Sequence, residues 1–483
     1  MKSNLSKKVL CLTLSIFTIG ALLSGCDKKA AVYEIEPMEK EESKAFGFDI
    51  AGGDDVMPIA AYYGPYASTF SVDGQSLPDY VTDEYWQAMA DCGINLMSHS
   101  ITDYAHSPQT IQKNLDFGEK YNIAVVVDDS TVRNMADLPE ISLEKVTAQL
   151  SKYMNHPAFG GLYVVDEPMT SYFMPADDLA RELYRYEELS PLLLHEVGIF
   201  CYENANNSSR GDSERENYER YLREYCDVLQ PTYLCFDRYP WDIEQQGFEQ
   251  RYFFDLAKVR KVAQEYGIPF WSFMGAGNYW NGEEYSEEKY YGPNEGQFDW
   301  CINSSLAFGA QGIQYFPFIQ PYHYAYGAGD IGDEWIFERS GMIGAWGNKN
   351  RWFYYAENIA PHIKAIDEVL MNSVSKGVIA SGDATNERLS LAKEAMFEGT
   401  SWRELASVEG EAIVGCFNYQ GNTALYVVNF YDSNAQKVTL NLQGNCEFIK
   451  IQGAESESLS GDKIVLDLAA GEGVLLVFGG DKS

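Results

Sequence analysis

Two adjacent carboxylates close an apolar run, Gly160-Gly161-Leu162-Tyr163-Val164-Val165-Asp166-Glu167-Pro168. A short buried strand that delivers acids to its own C-terminal end is how parallel barrels present groups to a cleft. A carboxyl flanked by Tyr163, Val164, Val165 and Pro168 is expected to be partly desolvated, which favours the protonated form that can serve a leaving group. Glu167 is therefore the first candidate general acid/base. Its alternative role is an ion pair with Arg238 or a lysine. Asp166 reaches the same ligand only if the strand ends or bulges there, since successive strand side chains face opposite ways.

A second set closes another run, Phe236-Asp237-Arg238-Tyr239-Pro240-Trp241. Asp237 at a strand end supplies the partner carboxylate that glycoside cleavage requires, while Tyr239 and Trp241 hydrogen-bond or stack. The competing role is an Asp237–Arg238 structural pair. Other polar groups end the remaining runs: His99, Asp128 beside Asp129, Tyr202, and Tyr315. The paired aspartates equally suit a helix cap. After the last two runs the loops crowd with rings, among them Trp280, Tyr324 and Trp335, with Asp330, Asp333 and Glu334 beside them. Flat rings take apolar sugar faces and acids take hydroxyls, so these loops read as a ligand wall. The expected site has Glu167, Asp237 and Asp166 as catalytic groups. Around them stand His99, Asp128, Tyr202, Tyr239, Trp280, Tyr315, Tyr324 and Trp335.

The elements that must position these residues are legible as eight β-rich runs. They are Val56–Tyr63, Ile94–Ser98, Ile123–Asp128, Gly161–Asp166, Glu196–Tyr202, Thr232–Asp237, Pro269–Phe273 and Gly312–Phe318. Amphipathic stretches alternate with them, the pattern of parallel βα units. Tyr252, Leu256, Val259, Ala263 and Tyr266 make one helical stripe, and Gly267 caps it. Ser107-Pro108 reads as an N-cap with proline at the first helical position. A repeated return, Gly93-Ile94, Asn122-Ile123, Gly267-Ile268 and Gly312-Ile313, marks where the chain leaves a helix and enters a strand. After about Ser373 the stripes give way to short strand-like runs, Glu411–Asn418, Thr423–Phe430, Lys437–Leu442, Cys446–Ile451, Lys463–Leu468 and Gly473–Phe478, which read as an antiparallel β-sandwich.

The expected fold class is α/β, a (β/α)8 TIM barrel over residues 51–372 followed by an accessory antiparallel β-sandwich over 373–483. The chain opens with Lys2, Lys7 and Lys8, an apolar run from Val9 to Leu23, and then Leu23-Ser24-Gly25-Cys26. This is the layout of a signal peptide, and the tetrapeptide resembles the bacterial lipobox. Cleavage before Cys26 and lipid attachment to its thiol are expected, with residues 26–50 as a tether. That places the protein on the bacterial cell surface, touching the membrane only through the lipid on Cys26.

Composition limits the partners. The formal charge is -35, a field that repels nucleic acid and favours a neutral or cationic ligand. Six histidines in no HxxxH arrangement, and cysteines without a CxxC pair, give no metal site. No phosphate-cradling glycine run and no Ser-His elbow appears, and no cofactor is expected because two carboxylates suffice for glycoside cleavage. The expected partner is a carbohydrate.

On these residues the chain resembles retaining (β/α)8 glycoside hydrolases of the clan that includes families 5, 39 and 42. Asp166-Glu167-Pro168 is similar to that clan's Asn-Glu-Pro, whose glutamate ends strand four as acid/base. The segment Ala307–Phe316 and the trailing β-sandwich are similar to uncharacterised secreted members. The resemblance implies a nucleophile glutamate at the end of strand seven, where this chain has Phe273-Met274-Gly275. Asp237 or a loop acid such as Glu283 then serves as second carboxylate. Alternatively, the Asp166-Glu167 pair resembles the dyads of substrate-assisted N-acetylhexosaminidases of families 20 and 123, or the barrel binds glycan without turnover. A solute-binding lipoprotein fits the lipobox and acidic surface, but its two-lobed architecture does not fit eight successive units.

Overall fold

The eight apolar runs become eight parallel strands, and their neighbours in the sheet define the architecture. The computed structural model describes residues 56–67, 71–72, 75–99, 107–129, 148–149, 151–153, 155–163, 198–200, 218–223, 225–227, 231, 233–242, 247–248, 251–277, 292–321, 339–382 and 389–479. The strands are β1 (Ile59–Tyr62), β2 (Leu96–His99), β3 (Ala124–Val127), β4 (Phe159–Leu162), β5 (Gly198–Phe200), β6 (Leu234–Asp237), β7 (Phe270–Gly275) and β8 (Ile313–Phe316). They lie in the order β4-β3-β2-β1-β8-β7-β6-β5. The first strand pairs in parallel with the last, Ile59 opposite Ile313 and Ala61 opposite Tyr315. A sheet of consecutive parallel strands that returns to its first member is the (β/α)8 barrel.

Helices separate the strands: α1 (Asp83–Asp91), α2 (Pro108–Tyr121), α3 (Arg251–Tyr266), α4 (Glu295–Ala307) and α5 (Arg351–Met371). Their ends follow local chemistry. Ser107 caps α2 by accepting from the Thr110 amide at 3.1 Å, with Pro108 at the first helical position. Asn294 and Gln297 form a reciprocal capping box on α4. Four exits share one motif. Gly93, Asn122, Gly267 and Gly309 take left-handed φ of 71°, 59°, 66° and 99°. The next amide bonds back five residues, Ile94 to Met89, Ile123 to Gly118, Ile268 to Ala263 and Ala310 to Ser305. The fourth exit is thus Gly309-Ala310, not the expected Gly312-Ile313. Gly312 has a different duty, because a Cβ there would stand 2.5 Å from the Trp271 ring.

From Ser373 the chain builds an antiparallel sheet: β9 (Ser373–Ser381), β10 (Leu405–Glu409), β11 (Ala412–Tyr419), β12 (Asn422–Asn429), β13 (Gln436–Gln452), β14 (Glu455–Leu468) and β15 (Gly473–Phe478). Its order is β9-β11-β12-β15-β13-β10, with β14 on β13. The expected strands at Lys437–Leu442 and Cys446–Ile451 are one long strand. Its register shifts between Asn441 and Cys446, so its first half pairs β10 and its second pairs β15. Both faces of the central strands are covered. Val414, Cys416, Leu425, Val427 and Leu476 face an inner apolar core. The alternate residues Ile413, Ala424, Tyr426, Val428 and Leu475 join the barrel's own core. Such double burial is why these segments read as continuous apolar runs.

Candidate active site at the barrel mouth

Register and parity say which side chains enter the barrel. Tyr315 stacks on Phe298 of α4, with ring centres 5.7 Å apart and planes 10° apart, so it faces the helices and Gln314 and Phe316 face inward. Gln314 lies opposite Phe273 and Ala60, and Trp271 lies opposite Cys235. Paired residues share a face, so Phe273, Trp271, Cys235 and Asp237 also enter the barrel. A Cβ added to Gly118 of α2 would meet Val125 at 2.8 Å, which turns Val125 outward and Ala124 and Val126 inward. Carried past the strand end, the alternation puts Asp128 on the lumen side and Asp129 on the helix side.

Two kinds of group meet at the strand ends. Asp128 is buried after β3, and Asp237 is half-buried at the end of β6. Asp129 behaves as structure: it accepts from Gln149 at 2.9 Å and from the Tyr153 hydroxyl at 3.4 Å. Burial pushes that hydroxyl up to about 12, and the Asp129 charge adds to the shift. Arg238 turns away from Asp237's face and makes a buried ion pair with Asp255 of α3 at 3.3 Å. On the same inward face, with Phe273 one strand over from Asp237, stands an aromatic collar. The Tyr62 ring lies 5.4 Å from Phe273 and 5.6 Å from Phe316, and Tyr239 lies 6.0 Å from Phe316. Tyr62 and Phe273 are buried, whereas Phe316 and Tyr239 keep partial exposure.

Tyr63 completes the collar at a cost. Its φ is 58°, the left-handed region, which costs a residue with a Cβ about 1–2 kcal/mol. The turn is held to the segment after β8, where the amides of Phe318 and Ile319 donate to the carbonyls of Tyr62 and Tyr63 at 2.8 and 3.0 Å.

Of the expected residues, Asp237, Asp128 and Tyr239 come to the mouth. His99 ends β2, its backbone paired with Tyr62. Tyr315 is a correction: it is fully buried under α4, because its position in β8 has the outward parity. Glu167, Asp166, Tyr202, Trp280, Tyr324, Trp335 and Cys26 lie outside the described residues. Residue-type reasoning passed over Phe273 and Phe316, since neither is polar. The signal that finds them is register, as each shares the inward face of Gln314. At β7, where the resemblance implies a glutamate, Phe273 faces inward and packs edge-on against Tyr62, with centres 5.4 Å apart.

No protein-family model matches the chain, and no curated protein is significantly similar to it. Among solved structures it is similar to a GH27 b-L-arabinopyranosidase from Geobacillus stearothermophilus, at 8% identity over 88% of this chain and 98% of that one, with a TM-score of 0.43. It is similar to a GH51 arabinofuranosidase from Xanthomonas axonopodis pv. citri, at 10% identity over 88% and 96%, with a TM-score of 0.42. A putative alpha-L-fucosidase from Bacteroides thetaiotaomicron is similar at 13% identity over 63% and 97%, with a TM-score of 0.37. The fold assignment rests on strand order and register, which stand without these likenesses.

Proposed function

We propose that this protein is a glycoside hydrolase that cleaves O-glycosidic bonds of a neutral oligo- or polysaccharide, held outside the cytoplasm by a lipid on Cys26. The observation that carries the reading is the mouth. Carboxylates at the ends of β3 and β6 share the barrel's inward face with a collar of Tyr62, Phe273, Phe316 and Tyr239, which suits a ligand with both hydroxyls and an apolar face. Glu167, following β4, is assigned as the acid that protonates the leaving glycosidic oxygen. Asp237 or Asp166 is the second carboxylate, which either attacks the anomeric carbon or takes a proton from the water that does. A separation near 5 Å gives retention and roughly 6.5–9.5 Å gives inversion.

Phe273 at the mouth end of β7 favours a second reading. With a ring there in place of a carboxylate, the substrate's own 2-acetamido oxygen can serve as nucleophile, oriented by Asp166 while Glu167 gives the proton. Turnover of a panel of aryl glycosides that includes N-acetylhexosaminides separates the two. Glu167→Gln should lower kcat by roughly a thousandfold or more with little change in KM. Wild-type rates in that variant remove the assignment, and binding without turnover by the native protein leaves a glycan-binding barrel.

A further inference from the structure

Consecutive residues of a strand point to opposite faces, yet Tyr62 and Tyr63 both bring their rings to Phe316, with centres 5.6 and 5.5 Å away. The left-handed backbone at Tyr63 makes this possible by swinging the second ring back over the mouth. A glycine would hold that conformation without strain, and Gly64 follows immediately. What a glycine cannot supply is the ring. Tyr62 and Phe273 form the buried base of the collar, and Tyr63, Phe316 and Tyr239 are its half-buried rim. Strain retained by a residue with a Cβ at a strand end of the barrel mouth is a mark of function.

We propose that Tyr63 is a specificity-determining residue: with Phe316 and Tyr239 it forms a platform that stacks on the C–H face of a neutral pyranose ring. This rests on the glycosidase reading and narrows its substrate. A pyranose gathers axial C–H bonds on one flat face, which a puckered furanose does less well. Asp128 and Asp237, which share the barrel's inward face with the rings, then receive the sugar's hydroxyls. An anionic sugar would meet both these acids and the net charge of -35.

The test compares wild type, Tyr63→Gly and Tyr63→Phe on 4-nitrophenyl hexopyranosides of several configurations and on 4-nitrophenyl arabinofuranoside, alongside thermal melting. Tyr63→Gly should melt close to the wild-type temperature, because relief of the left-handed strain offsets the lost ring packing and glycine's entropy, while KM for the preferred pyranoside rises roughly tenfold, the order of one lost ring contact. Tyr63→Phe should stay within about twofold of wild type in KM, because the ring remains. An unchanged KM in Tyr63→Gly, or a KM loss matched by a fall in melting temperature, overturns the proposal. Preference for the furanoside overturns it while leaving the hydrolase intact. If no glycoside is cleaved, binding of the same panel is read by intrinsic fluorescence. Binding lost in Tyr63→Gly then sustains the platform on a non-catalytic barrel, and no binding by wild type ends both.

Discussion

Asp237 and Arg238 are neighbours in the chain and face opposite sides of the sheet. The aspartate enters the mouth, and the arginine turns to the helix layer and meets Asp255. The sequence left two roles open for Asp237, partner carboxylate or structural mate of Arg238, and the parity of β6 separates it from Arg238. Asp237→Asn should therefore reduce kcat on the best aryl glycoside by about a hundredfold or more, with a melting temperature near wild type. Asp129→Asn is the contrast, since its carboxylate serves Gln149 and Tyr153; it should cost stability and leave kcat within a few-fold. Full activity in Asp237→Asn would move the second carboxylate elsewhere. The same parity explains what reading by residue type could not reach. Tyr315 and Phe316 are adjacent aromatics at a strand end, and the stacking of Tyr315 on Phe298 of α4 shows which one enters the barrel. A one-residue change of register exchanges their roles.

Elements were more legible than side-chain directions, because their ends carry local chemistry. Ser107-Pro108 starts α2 as expected, and Gly93, Asn122 and Gly267 end their helices through one backbone motif. Gly312 resembled a fourth exit because glycine marks both a left-handed turn and a close approach; the left-handed turn is at Gly309, and Gly312 answers to the Trp271 ring. Helix α3 shows the other limit. Its stripe from Tyr252 to Ala263 is buried, but so are Phe253, Phe254, Ala257 and Val262, because Phe253 packs on Trp300 and Phe308 and the short helical segment Ser390–Ala395 lies against the helix. Arg260 reaches Ser375 at 3.2 Å, and Lys258 bonds Glu394 at 2.9 Å. The buried Asp255 on this helix holds Arg238, and with it the backbone that presents Asp237 and Tyr239. Removing one member of such a pair strands a charge in a dry place, so Asp255→Ala should cost about 3–5 kcal/mol in urea unfolding. Replacing both residues by leucine and methionine should recover much of that loss. A double variant no better than the single one would show that Arg238 depends on other contacts.

At the scale of the whole molecule, the β-layer sits on α4 at distances only small residues permit. Gly415 lies against the Ala307 carbonyl, and Gly471 against the Gly296 carbonyl. Polar groups fix the seam: Trp300 donates to the Phe430 carbonyl at 3.0 Å, Asn303 to Gly471 at 2.8 Å, and Tyr426 to Asn303 at 2.6 Å. His362 bonds the Tyr426 hydroxyl at 2.9 Å, and burial lowers its pKa. Within this seam Asp299 is out of place, as its Oδ1 is sealed from solvent and finds no hydrogen bond among the described residues. Burial pushes its pKa up to about 8, and the charges of Glu295 on the same helix and Glu472 in the turn before β15 add to the shift. The native state therefore holds a proton that the unfolded chain releases near 3.8. This group's contribution is greatest below about pH 4, falls as pH rises at up to about 1.4 kcal/mol per unit, and levels off above about 8. His362 works in the opposite sense, since its lowered pKa costs stability as pH falls below its ordinary value. Comparing variant with wild type at each pH cancels that term. Asp299→Asn should melt close to wild type at pH 4 and progressively above it from pH 5 to 8. A difference that stays constant across the range would place the ionised carboxylate comfortably in the seam and remove the argument.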